Sequence, residues 1–207
     1  MTNHIIFDVD GTLWDSTEVV AKAWNQAIAE VGGTSAVMTA SVLKKEFGKT
    51  MDVIADDLFP DANSQEKEQL TQRCRLYEQD ALSATTESLL FPSVRETLRA
   101  LSGKCLLFIV SNCQSGYIEM FMEKAGVEAY ITDFECFGDT GMGKAENIRL
   151  LMARNHLKYA VYVGDTQGDY EATAAAGIPF VFARYGFGNV EKPFQTIDKI
   201  EDLLHLF

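Results

Sequence analysis

The sequence predicts an α/β fold in which a parallel β-sheet with its helices is interrupted by an inserted helical segment. From Leu89 onward, short apolar runs alternate with amphipathic stretches, a pattern typical of βαβ units and a parallel sheet. A first apolar run, Ile5–Phe7, has the same fully buried character. Between these parts, residues from about 15 to 86 show helical patterns and no convincing strand.

Composition indicates a globular protein with an acidic surface. Of the 207 residues, 47% are hydrophobic and 23% are charged, and the formal net charge is −12. This balance argues against a nucleic-acid partner or an anionic membrane, because both require a basic face. No apolar run approaches the ~18 residues of a membrane span. The four cysteines show no CxxC pairing, and no leader pattern precedes the first strand, so we expect a cytoplasmic location.

The first strand ends in two carboxylates, Asp8 and Asp10, followed by Gly11 and Thr12. Side chains alternate along a strand, so Asp8 and Asp10 project to the same side. Two like charges at that distance raise the cost of ionising each other, which favours a bound cation or a shared proton. A surface turn rich in Asp and Gly explains the same residues, and the pattern alone leaves both interpretations open.

The inserted segment reads as a series of helices. The first is capped by Asp15 or Ser16, carries apolar residues at helical spacing, and ends at Gly32. Further helices are expected over Thr39–Phe47, Met51–Leu58 and Ser64–Ala84. The turn that contains Lys49 separates two of these helices. It is either a plain interhelical turn or a segment that binds an anionic substrate.

The remaining elements alternate between helix and strand. A helix begins around Phe91–Ser93, where Pro and Ser occupy capping positions, and ends near Leu101. After it we expect, in order, strand Cys105–Val110, helix Gly116–Ala125, a weak strand Phe134–Phe137, loop Gly138–Gly143, helix Lys144–Asn155, strand Ala160–Val163, helix Asp169–Ala176 and a last strand Pro179–Ala183. A final amphipathic piece contains Ile200, Leu203 and Leu204.

Polar side chains follow the first four predicted strands, at the carboxyl ends where ligands bind in open parallel sheets. Besides Asp8 and Asp10, these are Ser111, Asn112, Lys144, Asp165 and Asp169. Carboxylates with a lysine and a hydroxyl suit a hard divalent cation beside a phosphoryl group. Each position also has a structural explanation. Ser111–Asn112 can simply begin a loop, and Asp165 and Asp169 can cap a helix.

Four motifs together resemble those of the haloacid dehalogenase-like (HAD) hydrolase superfamily: DVDGT at Asp8–Thr12, Ser111–Asn112, Lys144, and GDTQGD at Gly164–Asp169. The resemblance covers essentially the whole chain and is nearest to phosphoglycolate phosphatase-like members. It implies a Rossmann-like catalytic core formed by residues 1–14 and 87–207. Residues 15–86 stand where the family has its α-helical subclass I cap.

The resemblance also implies roles for individual residues. Asp8 is expected to be the nucleophile and Asp10 the general acid and base. A Mg²⁺ ion is expected on Asp8, the Asp10 backbone carbonyl and Asp165, with Asp169 binding directly or through water. The catalytic set is completed by Ser111 and Lys144. The residues expected to bind the phosphoryl group or the substrate are Gly11, Thr12, Ser111, Asn112, Lys144 and Lys49.

The expected function is a Mg²⁺-dependent phosphatase that hydrolyses a small phosphorylated metabolite through an aspartyl-phosphate. The alternative is a sugar phosphomutase of the β-phosphoglucomutase type, and a catalytically silent binding protein on the same fold is a third interpretation. Dehalogenation is disfavoured, because it needs no metal and the dehalogenases of the superfamily lack a carboxylate at the position of Asp10. The sequence leaves the oligomeric state open.

Two further patterns need an interpretation. Gly138–Ala145 has the GxxxxGK spacing of a nucleotide-binding P-loop, but Ala145 stands where that motif needs Ser or Thr, so we reject it. Trp14, Trp24 and the segment Tyr185–Gly188 either line a pocket or pack. We expect both tryptophans to pack.

Overall fold

A computed structural model describes residues 4–207 and divides them into two compact units. One unit comprises the described residues up to Asp15 together with Leu89–Phe207, and the other comprises Ser16–Ser88. The assignment of these units to a catalytic core and a cap stays a prediction. No helix within residues 4–207 has the length and apolar character needed to span a bilayer.

The unit Ser16–Ser88 is helical. Its helices are α1 (Thr17–Val31), α2 (Ala40–Glu46), α3 (Met51–Leu58) and α4 (Ser64–Ala84). Helix α1 buries Val20, Trp24 and Ala27, which follow the predicted helical spacing. The Trp24 indole Nε1 donates to Glu78 of α4 at 2.8 Å, so this tryptophan packs inside the helical unit, as expected.

The other unit is a parallel sheet with helices. Its strands are β1 (His4–Phe7), β2 (Leu107–Ser111), β3 (Ile131–Cys136), β4 (Ala160–Gly164), β5 (Phe180–Ala183) and β6 (Gln195–Ile197). Within the described residues they form one sheet of order β3-β2-β1-β4-β5-β6, parallel throughout. This is the strand order of Rossmann-like folds, in which ligands bind where the order reverses. The predicted α/β fold class is therefore confirmed.

The helices of this unit lie between the strands in sequence. They are α5 (Val94–Ser102), α6 (Tyr117–Ala125), α7 (Phe137–Thr140), α8 (Lys144–Arg154) and α9 (Gln167–Ala176). Two short 3₁₀ turns, Glu128–Tyr130 and Ile200–His205, complete the unit. Strand residues Ile6, Phe108 and Tyr162 are fully buried and form one hydrophobic cluster with Ile148 and Leu151 of α8. This packing fixes the start of α8 relative to the sheet.

Several predicted elements need correction. Pro179–Ala183 is not the last strand, because β6 follows it. Strand β3 begins at Ile131 instead of Phe134, and the short helix α7 occupies part of the predicted loop Gly138–Gly143. Both β3 and β6 are edge strands of the sheet. Edge strands bury less of their surface than central strands and carry polar residues. One example is Asp133 of β3, which forms an ion pair with Arg154. Their apolar pattern is correspondingly weak.

Candidate active site

Asp8 and Asp165 follow the two strands between which the strand order reverses. Residue pairs Phe7–Val163 and Phe7–Ile109 hold β1 in register with β4 and β2. The Asp8 N–H donates to the Val163 carbonyl at 2.9 Å, so the pairing with β4 continues one residue past β1. The carboxylates of Asp8 and Asp165 are consequently delivered to the same edge of the sheet.

Lys144 forms an ion pair with two carboxylates. It is the first residue of α8, and its ammonium group lies 3.0 Å from Asp8 Oδ1 and also contacts Asp169 Oδ1. The side chains of all three residues are at least 96% buried. Burial alone would lower the pKa of Lys144, but the carboxylates of Asp169 and Asp8 outweigh it and raise this pKa above its ordinary value. Lys144 therefore stays a cation.

Asp169 belongs to the first turn of α9 and is held by that helix terminus. Its Oδ2 accepts hydrogen bonds from the backbone N–H groups of Asp165 and Thr166 and from the Thr166 hydroxyl, at 3.2, 3.0 and 2.7 Å. Together with Thr166 it forms a capping box, as expected of a carboxylate at this position. Since Lys144 occupies Oδ1, both oxygens of Asp169 are engaged by protein groups.

Asp165 is oriented by hydrogen bonds to both of its oxygens. The Thr12 hydroxyl donates to Oδ1 at 3.2 Å, and the Phe187 N–H donates to Oδ2 at 2.7 Å. Burial, followed by the charges of Asp169 and Asp8, raises the pKa of Asp165 well above its ordinary value. A protein that buries such a carboxylate gains by binding a cation there.

Glycine is required at two positions around Asp165. Gly11 has φ +81°, and a Cβ added there would lie 2.2 Å from Asp165 Oδ2. A Cβ on Gly186 would lie 2.3 Å from the Asp165 Cβ and 2.4 Å from the Gly11 carbonyl oxygen. Both turns approach the carboxylate too closely for any side chain.

One oxygen of Asp8 has no hydrogen-bond partner among the described residues. This atom, Oδ2, is buried, whereas Oδ1 is bound by Lys144. Burial is the main cause that raises the pKa of Asp8 to about 7. Lys144 opposes this shift, and Asp169 and Asp10 add to it. A buried, unpaired carboxylate oxygen is costly unless a ligand binds it.

The residues fit a divalent cation such as Mg²⁺. One carboxylate oxygen from each of Asp8, Asp165 and Asp169 lies within 4.8 Å of the others, and all three residues are buried. Hard cations prefer oxygen ligands, and the unpaired Asp8 oxygen is available to such an ion. Lys144 is the one positive side chain that contacts this group in the described structure, which leaves an excess of negative charge.

Asp10 lies two residues beyond Asp8 and receives two hydrogen bonds on one oxygen. Trp14 Nε1 and the Tyr117 hydroxyl both donate to Asp10 Oδ1, at 3.0 and 2.8 Å. Trp14 is buried, as expected of a packing residue, but it also contacts a predicted site residue. Neither contact follows from a sequence pattern, because aromatic residues near a motif usually only pack.

The remaining predicted site residues differ in where they lie. Ser111 is the buried last residue of β2, two residues beyond the Phe7–Ile109 pair, and Asn112 follows it directly. Lys49 lies in the helical unit, where its ammonium group is 2.8 Å from both Glu46 and Asp57. These carboxylates account for Lys49 structurally. Its role toward a substrate stays a prediction.

The segment Tyr185–Gly188, for which the sequence left two interpretations open, contacts the site. Besides the Phe187 N–H, the Gly188 N–H approaches Asp165 Oδ2 at 3.4 Å. The Tyr185 hydroxyl donates to the Thr12 carbonyl at 2.8 Å. A glycine-rich segment after the carboxyl end of a strand was the available signal, since such loops carry binding residues in parallel sheets.

Comparison with known proteins identifies the family. A family model described as haloacid dehalogenase-like hydrolase matches residues 5–183. A phosphoglycolate phosphatase of Yersinia pestis is 26% identical over 190 residues, covering 88% of this chain and 81% of that protein. One of Vibrio vulnificus (strain YJ016) is 28% identical over 216 residues, covering 97% of this chain and 93% of that protein.

A solved structure shares the fold. The crystal structure titled as a predicted phosphoglycolate phosphatase from Haemophilus somnus 129PT matches with a TM-score of 0.86 at 23% identity. The match covers 99% of this chain and 97% of that one. The likeness to this structure concerns the fold, whereas the family model spans most of the sequence. The chain belongs to the haloacid dehalogenase-like hydrolases and is an enzyme of that family.

Proposed function

We propose that this enzyme is a Mg²⁺-dependent phosphatase that hydrolyses a small phosphorylated metabolite through an aspartyl-phosphate on Asp8. The observation that carries the proposal is the unpaired Asp8 Oδ2, buried beside Lys144 and within a cluster of three carboxylates. A structural ion pair would need Lys144 and one carboxylate only. It would not leave a second Asp8 oxygen without a partner.

The chemistry follows from the residues in two balanced steps. In the first, an Asp8 oxygen forms a bond to phosphorus while the ester P–O bond breaks, and Asp10 gives its proton to the leaving oxygen. In the second, Asp10 takes a proton from water, whose oxygen attacks phosphorus and releases phosphate from Asp8. The net change converts a phosphate ester and water into an alcohol and phosphate.

Lys144, Asp165 and Asp169 have separate tasks in this proposal. Lys144 holds the Asp8 carboxylate at 3.0 Å and places positive charge where phosphoryl charge develops. Asp8 and Asp165 would hold the Mg²⁺, with the Asp10 carbonyl as expected from the family resemblance. When bound, the ion would neutralise negative charge on the phosphoryl oxygens. Because both oxygens of Asp169 are engaged by protein groups, we assign it the orientation of Lys144 in preference to direct metal binding.

Substrate and location are also proposals. The relatives in Yersinia pestis and Vibrio vulnificus are named phosphoglycolate phosphatases, so 2-phosphoglycolate is the first metabolite to test. The cytoplasmic location is supported by the four cysteines, Cys74, Cys105, Cys113 and Cys136, all of which are free thiols.

The test is turnover of p-nitrophenyl phosphate with Mg²⁺ or with EDTA, by the wild type and by Asp8→Asn. We expect EDTA to abolish turnover, and Asp8→Asn to lower kcat by at least about 1,000-fold, because the nucleophile is lost. The matched control is Asp61→Asn, an exposed substitution in the helical unit, which should retain the wild-type rate. Activity that survives both EDTA and Asp8→Asn would contradict the proposal.

A panel of phosphorylated metabolites then distinguishes the phosphatase from the phosphomutase. The panel contains 2-phosphoglycolate and a β-hexose 1-phosphate, and both free phosphate and isomerised sugar phosphate are measured. Release of phosphate supports the proposal. Net isomerisation without release would favour the mutase.

A further inference from the structure

Two aromatic side chains donate hydrogen bonds to the same oxygen of Asp10. The Trp14 Nε1–H and the Tyr117 O–H reach Asp10 Oδ1 at 3.0 and 2.8 Å. Their residues are only 2% and 4% exposed, so water does not compete for these bonds. A role in packing alone would need neither the N–H nor the O–H group, because a phenyl ring fills similar space.

The two donors come from separate parts of the chain. Trp14 lies in the turn after β1, where the Gly11 N–H donates to its carbonyl at 2.9 Å. Tyr117 is the first residue of α6 and is 107 residues away from Asp10 in sequence. The carboxyl group of Asp10 is therefore held both by its own turn and by the helix that follows β2.

The aromatic rings also brace each other. The rings of Trp14 and Tyr117 meet edge to face, with centroids 5.7 Å apart. Phe121, one helical turn beyond Tyr117, contacts the Trp14 ring in the same manner at 5.1 Å. Because each ring is fixed by the next, the directions of the N–H and O–H groups are fixed as well.

Two donors on one oxygen determine how the Asp10 carboxyl group can act. They fix its rotation, and they occupy Oδ1 as an acceptor. The carboxyl group that exchanges a proton with the substrate or with water is therefore held in one orientation. A general acid is efficient only when its proton lies within hydrogen-bond reach of the leaving oxygen, and small displacements are costly.

We propose that Tyr117 and Trp14 are positioning residues that direct Asp10 toward the leaving-group oxygen. The inference rests on the proposed phosphatase function and adds two residues that act through Asp10 without touching the phosphoryl group. It differs from a packing role in one respect. Loss of a donor should slow those esters whose leaving group needs a proton, and spare those whose leaving group does not.

The experiment compares Tyr117→Phe with the wild type on phenyl phosphate and on 2,4-dinitrophenyl phosphate. Dinitrophenolate departs without a proton, whereas phenolate is a stronger base and benefits from general acid catalysis. The parameter is kcat/KM, because it covers departure of the leaving group and excludes later hydrolysis of the aspartyl-phosphate. We expect kcat/KM to fall on the order of 10-fold for phenyl phosphate and by less than about 2-fold for the dinitrophenyl ester.

A double-mutant cycle gives the second readout. In an Asp10→Asn background, which already lacks the general acid, Tyr117→Phe should cause no further loss on phenyl phosphate. Trp14→Phe, which removes the other donor and keeps an aromatic ring, should show the same selectivity as Tyr117→Phe. Tyr159→Phe is the control, because Tyr159 is 55% exposed and outside the site. Thermal unfolding of every variant reports whether it is folded.

The outcomes separate this proposal from the proposed function. An equal fall on both esters, or a further loss in the Asp10→Asn background, would overturn the positioning role and leave the phosphatase assignment intact. Failure of the wild type to hydrolyse either ester would overturn the phosphatase assignment and the positioning role with it. If Tyr117→Phe does not fold, the same comparisons are decided with Trp14→Phe.

Discussion

Asp8 combines three features that are rarely found in one carboxyl group. It is 1% exposed, it is paired with Lys144 through one oxygen, and its other oxygen has no partner in the described part of the chain. Burial raises its pKa to about 7 even though Lys144 opposes the shift. Without a cation, a large fraction of the molecules should hold Asp8 protonated at neutral pH.

This pKa predicts how stability depends on pH in the metal-free protein. Well below pH 3.8, Asp8 is protonated in both the folded and the unfolded state, so its burial does not lower the free energy of unfolding. Between pH 3.8 and about 7 the folded state binds more protons, so stability falls as pH rises. Asp8→Asn removes this cost. The free energy of unfolding of Asp8→Asn, relative to that of the wild type, should therefore increase by on the order of 2 kcal/mol between pH 5 and pH 8.

Urea unfolding in EDTA at both pH values measures this difference. Asp61→Asn serves again as the control, and its stability relative to the wild type should not change between the two pH values. An advantage of Asp8→Asn that is the same at pH 5 and at pH 8 would refute a raised pKa in Asp8. Saturating Mg²⁺ should abolish the advantage, because the ion binds the ionised carboxylate.

Individual residues of the site were predicted to different extents. The sequence predicted that Asp8, Lys144, Asp165 and Asp169 lie together, because each stands after a strand or at a helix start and parallel strands bring these positions to one edge. Their roles in catalysis and metal binding stay predictions. Tyr117 escaped prediction. Its hydroxyl reaches Asp10 only because α6 packs beside Trp14, and no local pattern records that contact.

At the level of elements, the segment after β5 determines how Asp165 is held. The Phe187 N–H and the Tyr185 hydroxyl bind Asp165 and its neighbour Thr12, and Gly186 lies between them. A Cβ at Gly186 would come within 2.4 Å of the Gly11 carbonyl oxygen, which is backbone and moves only with the turn after β1. The two loops are therefore packed against each other without space for a methyl group.

We predict that Gly186→Ala displaces Asp165 and impairs the enzyme. Overpacking of this kind costs about 1 to 3 kcal/mol of stability, and displacement of Asp165, the proposed metal ligand, should lower kcat/KM by at least about 10-fold. The Mg²⁺ concentration for half-maximal activity should rise in parallel. Turnover of p-nitrophenyl phosphate across a Mg²⁺ titration measures both effects.

Gly103→Ala is the matched control for this substitution. Gly103 has φ −77°, and a Cβ there would lie 3.6 Å from the Ala100 carbonyl oxygen, which is an ordinary van der Waals contact. It should leave both kcat/KM and the Mg²⁺ dependence unchanged. Wild-type behaviour of Gly186→Ala would show that the two loops can separate without disturbing Asp165.

Helices bounded by clear turn or capping residues were predicted almost to the residue. The helices Met51–Leu58 and Ser64–Ala84 agree at both ends, because a turn or a capping residue bounds each of them. Asn63, for example, forms a capping box with Glu66 at the start of α4. The start of edge strand β3 was predicted wrongly, and edge strand β6 was not predicted. The side chains of both strands are mostly partly exposed and lack a continuous apolar run.

For the molecule as a whole, the net charge of −12 affects how an anionic substrate arrives. A phosphate ester approaching an acidic protein is repelled over a distance that salt shortens. With Mg²⁺ kept saturating, we expect kcat/KM for 2-phosphoglycolate to rise by about 2-fold between 10 and 150 mM KCl. Over this range the Debye screening length falls from roughly 30 Å to roughly 8 Å. The value of kcat should not change.

Initial rates across a KCl series check this expectation. Sucrose at matched viscosity is the control, because it slows diffusion without screening charge. A decrease of kcat/KM with added salt would contradict repulsion by the whole molecule. It would show instead that the positive groups at the site, Lys144 and the proposed Mg²⁺, dominate the electrostatic field that the substrate meets.

The fold class was predictable because it depends on the order of elements along the chain, which the alternation of strand and helix patterns records. The strand order required an additional assumption, that β1 pairs with strands far away in sequence. Its fully apolar character supported that assumption, and β1 lies between β2 and β4. The substrate remains beyond prediction, since specificity depends on side-chain positions that no periodicity records.

The place where the chain departs from the sheet unit and returns to it has an evolutionary consequence. The Asp15 N–H donates to the Leu89 carbonyl at 2.8 Å, and Trp14 forms a bridge with Leu90. The segments that precede and follow the inserted helical unit are thus hydrogen-bonded to each other, as the two strands of a hairpin are. A segment of almost any length can be exchanged at this seam without altering the strands. Recombination at this point would change the inserted segment and leave the sheet and the carboxylates that follow its strands in place.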